Sequence, residues 1–309
     1  MQNNQNKKCV LVDANNFIYR YYYGMPPQLN KNGDDYRILY GMMRLINNIP
    51  REIDDLNYLF LVFDPDDSDA YRKSIYPAYK QNRPPAPADL VKQREDVINI
   101  MKQLGVPIIE YSGVESDDII ASSAKYFANM GIKVNIFAKD KDLMQIINND
   151  INVYQIAKKD DKSIYKIFNQ QLIYDHYGVT PSQIPDYLAL IGDTADNIPG
   201  ADGIGPKTAT KLIQKYNNLE TIIACREELS EKVKKSIMES MDYLPISKKL
   251  NTLRFDLDIT NSVLKAISEA DQTQSHLGYK QKVLDLKHEF SWPDYFVSLF
   301  INNHQNIRP

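Results

Sequence analysis

The stretch Gly192-Asp193-Thr194-Ala195-Asp196-Asn197-Ile198-Pro199-Gly200, followed by Gly203-Ile204-Gly205-Pro206-Lys207-Thr208-Ala209, sets two carboxylates beside a glycine-rich hairpin that opens a helix. Carboxylate oxygens suit a hard metal ion, and backbone N–H groups at a helix N-terminus suit a phosphate. The pairing points to chemistry on a phosphodiester. Taken alone, the stretch reads equally as a capped loop between two helices, with Asp and Gly serving as turn residues.

Working back toward the N-terminus, short apolar runs at 9–12, 58–63, 106–109, 134–138 and 151–154 alternate with helical patterns near 37–48, 89–104, 117–130 and 141–148. This alternation predicts an α/β fold, a mostly parallel central sheet flanked by helices. From about 169 the pattern turns helical throughout, at 169–177, 181–190, 206–216, 219–225, 227–241 and 245–251. The expected division is an α/β body over 1–168, a helical subdomain over 169–292 and a polar C-terminal tail over 293–309. Asn82-Arg83-Pro84-Pro85-Ala86-Pro87 reads as a stiff bend.

With 309 residues, 25% charged and 43% hydrophobic, the chain can bury a large core. No apolar run reaches the roughly 20 residues that span a bilayer, and the polar start carries no secretory signal. Two cysteines, Cys9 and Cys225, are too few for a disulfide framework, so a cytoplasmic location is expected. The net charge of −3 speaks weakly against nucleic acid. Its distribution reverses that reading, because 71–94 holds six cations against one acid, a net +5.

Acids follow the strands. Asp13 comes after the first and Asp64 after the second; Glu115, Asp117 and Asp118 open a helix after the third; Asp140 and Asp142 follow the fourth. The carboxyl ends of parallel strands share one edge, where ligands bind, so these seven groups converge there. Asp193 and Asp196 join from the helical part. Each acid alone could be a helix cap or turn residue. Such a concentration of like charge persists only if cations offset it. With oxygen donors alone on offer, Mg²⁺ or Mn²⁺ is expected rather than zinc, and there are enough carboxylates for two ions.

Arg72, Tyr76, Tyr79, Lys80 and Arg83 fall at spacings that predict one helical face of cations and rings. That pattern suits single-stranded nucleic acid, and equally a solvated helix whose tyrosines cover the core. Tyr19, Arg20 and Tyr22 lie close behind Asp13 and could stack on terminal bases or fill the core. In the hairpin, Gly203 and Gly205 are expected to permit positive φ, and Pro206 fits a first helical turn.

The motif over 192–209, the acid series and the basic run resemble, in combination, the 5′ nuclease domain of bacterial DNA polymerase I and its relatives, the phage 5′ exonucleases and flap endonucleases. The resemblance extends from about Val10 to Trp292. It implies a PIN-like 5′ nuclease fold with a C-terminal helix–three-turn–helix, and a structure-specific 5′-3′ exonuclease and flap endonuclease acting in replication and repair. It places one ion among Asp13, Asp64, Glu115 and Asp117, a second among Asp140, Asp142, Asp193 and Asp196, and Asp118 near both. Lys80 and Arg83 match cations that meet the scissile phosphate, within a helical arch near 71–94. Arg20, Tyr22, Arg72, Tyr79, Gly203, Gly205, Lys207 and Thr208 become DNA contacts, and a potassium ion at the hairpin is implied. The implied partner is branched or 5′-ended DNA (a flap, a nick or an RNA–DNA junction), with no membrane and no obligate protein partner. One departure stands out: Tyr36-Arg37 occupies the place of a usual Thr-Gly pair. The rival reading is a non-enzymatic paralogue that binds branched DNA, which the complete acid set disfavours.

Overall fold

The computed structural model describes residues 7–159, 162–271, 276–293 and 296–297. The chain opens with β1 (Lys8–Asp13), α1 (Ala14–Gly24), α2 (Arg37–Glu52) and β2 (Leu56–Val62). There follow α3 (Ala70–Ile75), α4 (Ala88–Gln103), β3 (Ile108–Ile109), α5 (Ser116–Asn129), β4 (Lys133–Phe137) and a 3₁₀ turn (Asp142–Ile146). An edge hairpin, β5 (Ile151–Lys159) and β6 (Lys162–Phe168), completes a six-stranded sheet in the order β3-β2-β1-β4-β5-β6. All neighbours are parallel except β5 and β6. The remainder is helical: α6 (Gln170–Tyr177), α7 (Ile184–Ile191), α8 (Pro206–Tyr216), α9 (Leu219–Ala224), α10 (Glu231–Ser240), α11 (Leu244–Asn251), α12 (Thr260–Asp271) and α13 (His276–Glu289).

The Cys-Val-Leu-Val run of β1 is buried on both faces, as a central parallel strand requires. Leu11, Phe60, Val134 and Ile136 meet Ile119, Ile120 and Phe127 of α5 on one face. The same cluster runs on without a break into Leu188 and Leu190 of α7 and Ile213 of α8. Body and helical part therefore share one core. On the other face Val10, Val12, Leu59, Leu61 and Phe137 pack with α1, α2 and α4.

The chain then returns. Val283 and Leu286 of α13, with Trp292, Phe296 and Val297, bury themselves in this second cluster. Phe296 sits 5.0 Å from the ring of Tyr36 and 5.0 Å from that of Trp292. The expected polar tail from 293 is thus corrected at its start, since Phe296 and Val297 belong to the core; residues 298–309 lie outside the described ones. The sequence pattern also left α1, β6, α12 and α13 unassigned. Consecutive parallel strands turn opposite ways from β1, toward β2 on one side and β4 on the other, so a crevice opens between the carboxyl ends of β1 and β4.

Phe296→Ala is expected to lower the unfolding free energy by about 3 kcal/mol, as for a buried aromatic ring. Denaturant titration measures it, and a change below about 0.5 kcal/mol would be that of a surface residue and would detach the returning segment from the core.

Candidate active site

The crevice is where the strand-end acids arrive. Asp13 ends β1 and caps α1, its Oδ1 accepting from the Asn16 N–H at 3.1 Å. Asp64 lies just past β2 and accepts from the Ser116 N–H at 2.5 Å, which ties it to the start of α5. Glu115 is the residue before α5, and Asp117 and Asp118 occupy its first turn. Asp140 follows β4 and accepts from the Asp142 N–H at 2.9 Å, setting the 3₁₀ turn. Of these, Asp13, Asp64, Glu115, Asp117, Asp140 and Asp142 line a cleft of about 450 Å³ that Asp196 closes from the helical part, while Asp193 is not among its lining residues.

Asp193 and Asp196 are delivered by a very tight loop. Asp193 and Ile198 exchange two backbone hydrogen bonds of 2.8 Å, so the backbones of Gly192 and Gly200 touch. A Cβ on Gly200 would stand 2.4 Å from the Gly192 nitrogen, and Gly192 itself has φ +72°. Asn197, with φ +57°, donates its side-chain amide to the Ala78 carbonyl at 2.7 Å. Asn82 donates to the Thr194 carbonyl at 2.7 Å, and the Lys80 N–H to that of Asp196 at 2.9 Å. The loop therefore grips the segment 78–82 of the body.

That segment is not the expected helix. α3 ends at Ile75 because Tyr76 precedes Pro77, which disfavours helical backbone at the residue before it. Lys80 then takes φ +55°, and a turn replaces the helical face. Two expected DNA contacts point inward as a result. Arg72 is 4% exposed, and its guanidinium donates to Glu115 at 2.8 Å, to Asp118 at 2.7 and 3.0 Å and to the Leu250 carbonyl at 3.0 Å. Tyr79 is 3% exposed, with its hydroxyl on Glu115 and Asp196. Asp118 is corrected too: buried against Arg72 and accepting from the Arg254 N–H at 3.0 Å, it is set back from the cleft as an ion-pair partner. Lys80 and Arg83 do reach the site, pairing with Glu115 and Asp196.

Arg20 lines the cleft, beside Tyr19 and Tyr23. Tyr22 does not join them, since its hydroxyl donates to Asp89 at 2.7 Å and Arg37 lies over its ring. Tyr23, four residues after Tyr19 on the same face of α1, takes the place predicted for Tyr22; that helical spacing was the available signal. Arg37, at the departure from the family pattern, pairs with Asp35 at 2.5 Å. Lys141 was also missed and holds Asp193 at 3.1 Å. In the hairpin only Gly203 has positive φ, +73°. Gly205 is extended at φ −91° ahead of α8, and a Cβ there would meet open space. Lys207 is exposed and Thr208 half-buried in the first turn of α8.

Electrostatics sets what the cleft needs. Burial first, and then the charge of Asp64, holds the Asp13 carboxyl up to about 8. Burial likewise pushes Asp117 and Asp142 well above the carboxylate range and Asp140 upward, each helped by its acidic neighbours. Burial acts to lower Lys80, but Glu115 and Asp196 outweigh it and its pKa rises. Asp117 Oδ1 and Asp142 Oδ1 are buried with no hydrogen-bond partner. Among the described residues no three ligating side chains already surround one point. Lys80, Arg83 and Lys141 instead hold Glu115, Asp196 and Asp193. Orphaned carboxylate oxygens in an all-oxygen donor set fit hard divalent cations.

A crevice of this kind, with carboxylates gathered at the carboxyl edge of a doubly wound sheet, suits metal-assisted chemistry on a phosphodiester. The family description "5'-3' exonuclease, N-terminal resolvase-like domain" matches residues 8–178, and "5'-3' exonuclease, C-terminal SAM fold" matches 179–274. The chain belongs to this 5′-3′ exonuclease family and is a nuclease. It is 36% identical over 253 residues to the 5′-3′ exonuclease of Aquifex aeolicus, covering 82% of this chain and 84% of that one. It is 34% identical to the DNA polymerase I of Caldicellulosiruptor bescii but spans only 29% of that protein's length. Among solved structures, the bacteriophage T5 D15 flap endonuclease, described in complex with DNA and metal ions, shares the fold at TM-score 0.64 and 18% identity, covering 92% of this chain and 99% of that one. The catalytic core of Rad2 in complex with DNA substrate aligns at TM-score 0.59 and 15% identity, covering 96% of this chain and 92% of that one.

The raised carboxyl pKa values have a consequence for stability. A carboxyl that holds its proton more tightly when folded contributes stability below its unfolded pKa near 4, and loses that contribution as pH rises through the folded value. For Asp13 the folded value is about 8. In chelator, the melting temperature should therefore fall steadily between pH 5 and pH 8.5, and the gain from added Mg²⁺ should grow over the same range. Scanning calorimetry measures both. A chelated protein whose melting temperature rises across this window would contradict the repulsive cleft.

Proposed function

We propose that the protein is a structure-specific, divalent-metal-dependent 5′ nuclease, cleaving DNA at flaps, nicks and 5′ ends in replication and repair. The observation that carries this reading is the pair of orphaned buried oxygens, on Asp117 and Asp142, in a cleft already crowded with carboxylates. Asp13, Asp64, Glu115 and Asp117 would hold one ion, and Asp140, Asp142, Asp193 and Asp196 a second. Mg²⁺ or Mn²⁺ suits them best, and we extend the family's potassium ion to the hairpin on resemblance alone. Bound divalent ions supply an activated water and a Lewis acid for the departing 3′ oxygen.

The chain's own groups do the rest. Lys80 and Arg83, released from Glu115 and Asp196, neutralise the scissile phosphate as charge develops on it. Water adds to phosphorus, the bond to O3′ breaks, and a proton passes to that oxygen, leaving a 5′-phosphate and a 3′-hydroxyl. Tyr19 and Tyr23, 46% and 67% exposed at the cleft, offer stacking faces, with Arg20 between them on the helix. The open approach to Gly205 lets a duplex phosphate come close to the start of α8, beside Lys207 and Thr208.

Asp117→Asn tests this directly with a 5′-labelled flap. Cleavage in Mg²⁺ should be lost while flap affinity is kept or tightened, because one negative charge leaves the cleft. Lys80→Ala should cut turnover on the order of 10²-fold with little change in affinity. A folded Asp117→Asn protein that cuts at the parental rate would remove Asp117 from the site. A parental protein that binds flaps yet cuts nothing in Mg²⁺ or Mn²⁺ would hand the case to the non-enzymatic reading.

A further inference from the structure

The last turn of α11 and the residues after it are held by side chains of the α/β body. A helix end leaves its final carbonyls without internal partners. Here Arg72 Nε donates to the Leu250 carbonyl at 3.0 Å and Gln145 Nε2 to that of Asn251 at 2.9 Å. Gln145 Oε1 accepts from the Leu253 N–H at 3.0 Å, Asp118 from the Arg254 N–H at 3.0 Å, and the Arg254 carbonyl accepts from Ser122 Oγ at 3.1 Å. These partners are buried or nearly so, and one of them, Arg72, also lines the cleft.

Gln145 differs from the others in facing both ways. Its Nε2 also donates to the Asp142 carbonyl at 2.8 Å. The Asp142 N–H is in turn held by Asp140, so the backbone of Asp142 is fixed at both ends while its Oδ1 is left without a partner. The other end of α11 holds the 192–200 loop. Ser247 donates to the Pro199 carbonyl at 2.6 Å, and the Tyr243 hydroxyl to that of Gly200 at 3.2 Å. One helix thus joins the turn that carries Asp142 to the loop that carries Asp193 and Asp196.

We infer that Gln145 is a positioning residue that sets the Asp142 carboxylate of the body in register with the carboxylates of the helical part, by pinning the 142–146 turn to the end of α11. The inference rests on the metal-cleft reading above. It predicts that Gln145 acts on the cation through Asp142, without touching it.

The test is calorimetric titration of the full chain with Mn²⁺ alone, alongside thermal unfolding and flap affinity in chelator. Gln145→Met should bind Mn²⁺ about tenfold more weakly, the lower end of what partners of metal ligands contribute, with flap affinity unchanged and turnover reduced. Gln145→Asn, one methylene too short to span all three partners, should show the same loss and serves if the Met variant does not fold. Ser122→Ala removes a hydrogen bond from the same seam without reaching Asp142, and should lower the melting temperature while leaving Mn²⁺ affinity intact. Parental Mn²⁺ affinity in both Gln145 variants would overturn the inference and leave the cleft reading standing. An equal loss in Ser122→Ala would also overturn it, because any loosening of the seam would then suffice. A parental protein that binds no Mn²⁺ would instead overturn the cleft reading on which it rests.

Discussion

Carboxylates crowd the edge of the sheet where the connections from β1 part, and their mutual repulsion in a low-dielectric crevice is what the surroundings are organised to contain. Burial and neighbouring charge hold Asp13, Asp117, Asp140 and Asp142 toward their protonated forms. Four cations are drawn in. Arg72, Lys80, Arg83 and Lys141 each pair with an acid of the constellation. A buried ion pair is weak evidence of net stability; its value here lies in what it fixes. Arg72 locks α3 and α5 to the end of α11, whereas Lys80 and Arg83 come from a turn and occupy positions that a substrate phosphate and metal ions would contest.

The two halves of the molecule are joined by the same economy. The Gly192–Gly200 contact bends the chain so sharply that Asp196 returns to the cleft, with Asp193 held nearby by Lys141, and the loop then holds the turn that bears Lys80. One hydrophobic core runs through α5, α7 and α8 and packs the two parts together across this juncture. A set of candidate metal ligands spread across two parts of a chain needs such a seam, since displacements near 1 Å are costly for chemistry.

Much of this was legible in the sequence. Acids immediately after apolar runs pointed to the edge where most of them gather, because in a parallel sheet chain order alone decides which ends meet. The hairpin before Pro206 and the span of α8 followed from Gly and Pro chemistry. What stayed hidden was direction. Arg72 and Tyr79 look like surface contacts in a basic run, and only the fold shows that Pro77 breaks the helix and turns them inward. Asp118 is indistinguishable from Asp117 until helix α5 places one beside the cleft and the other against Arg72. α12 and α13 lacked a pattern strong enough to read, and the returning Phe296 depends on contacts with residues some 260 positions away.

The most direct measurement of the central claim is the anomalous scattering of crystals soaked in Mn²⁺. Density is expected in the cleft between the body acids and Asp196, at about 2.1 Å from carboxylate oxygens, including those of Asp117 or Asp142, with Lys80 withdrawn from Glu115. A cleft without anomalous density at saturating Mn²⁺, its lysine and arginine still paired as before, would contradict the claim that cations offset this repulsion.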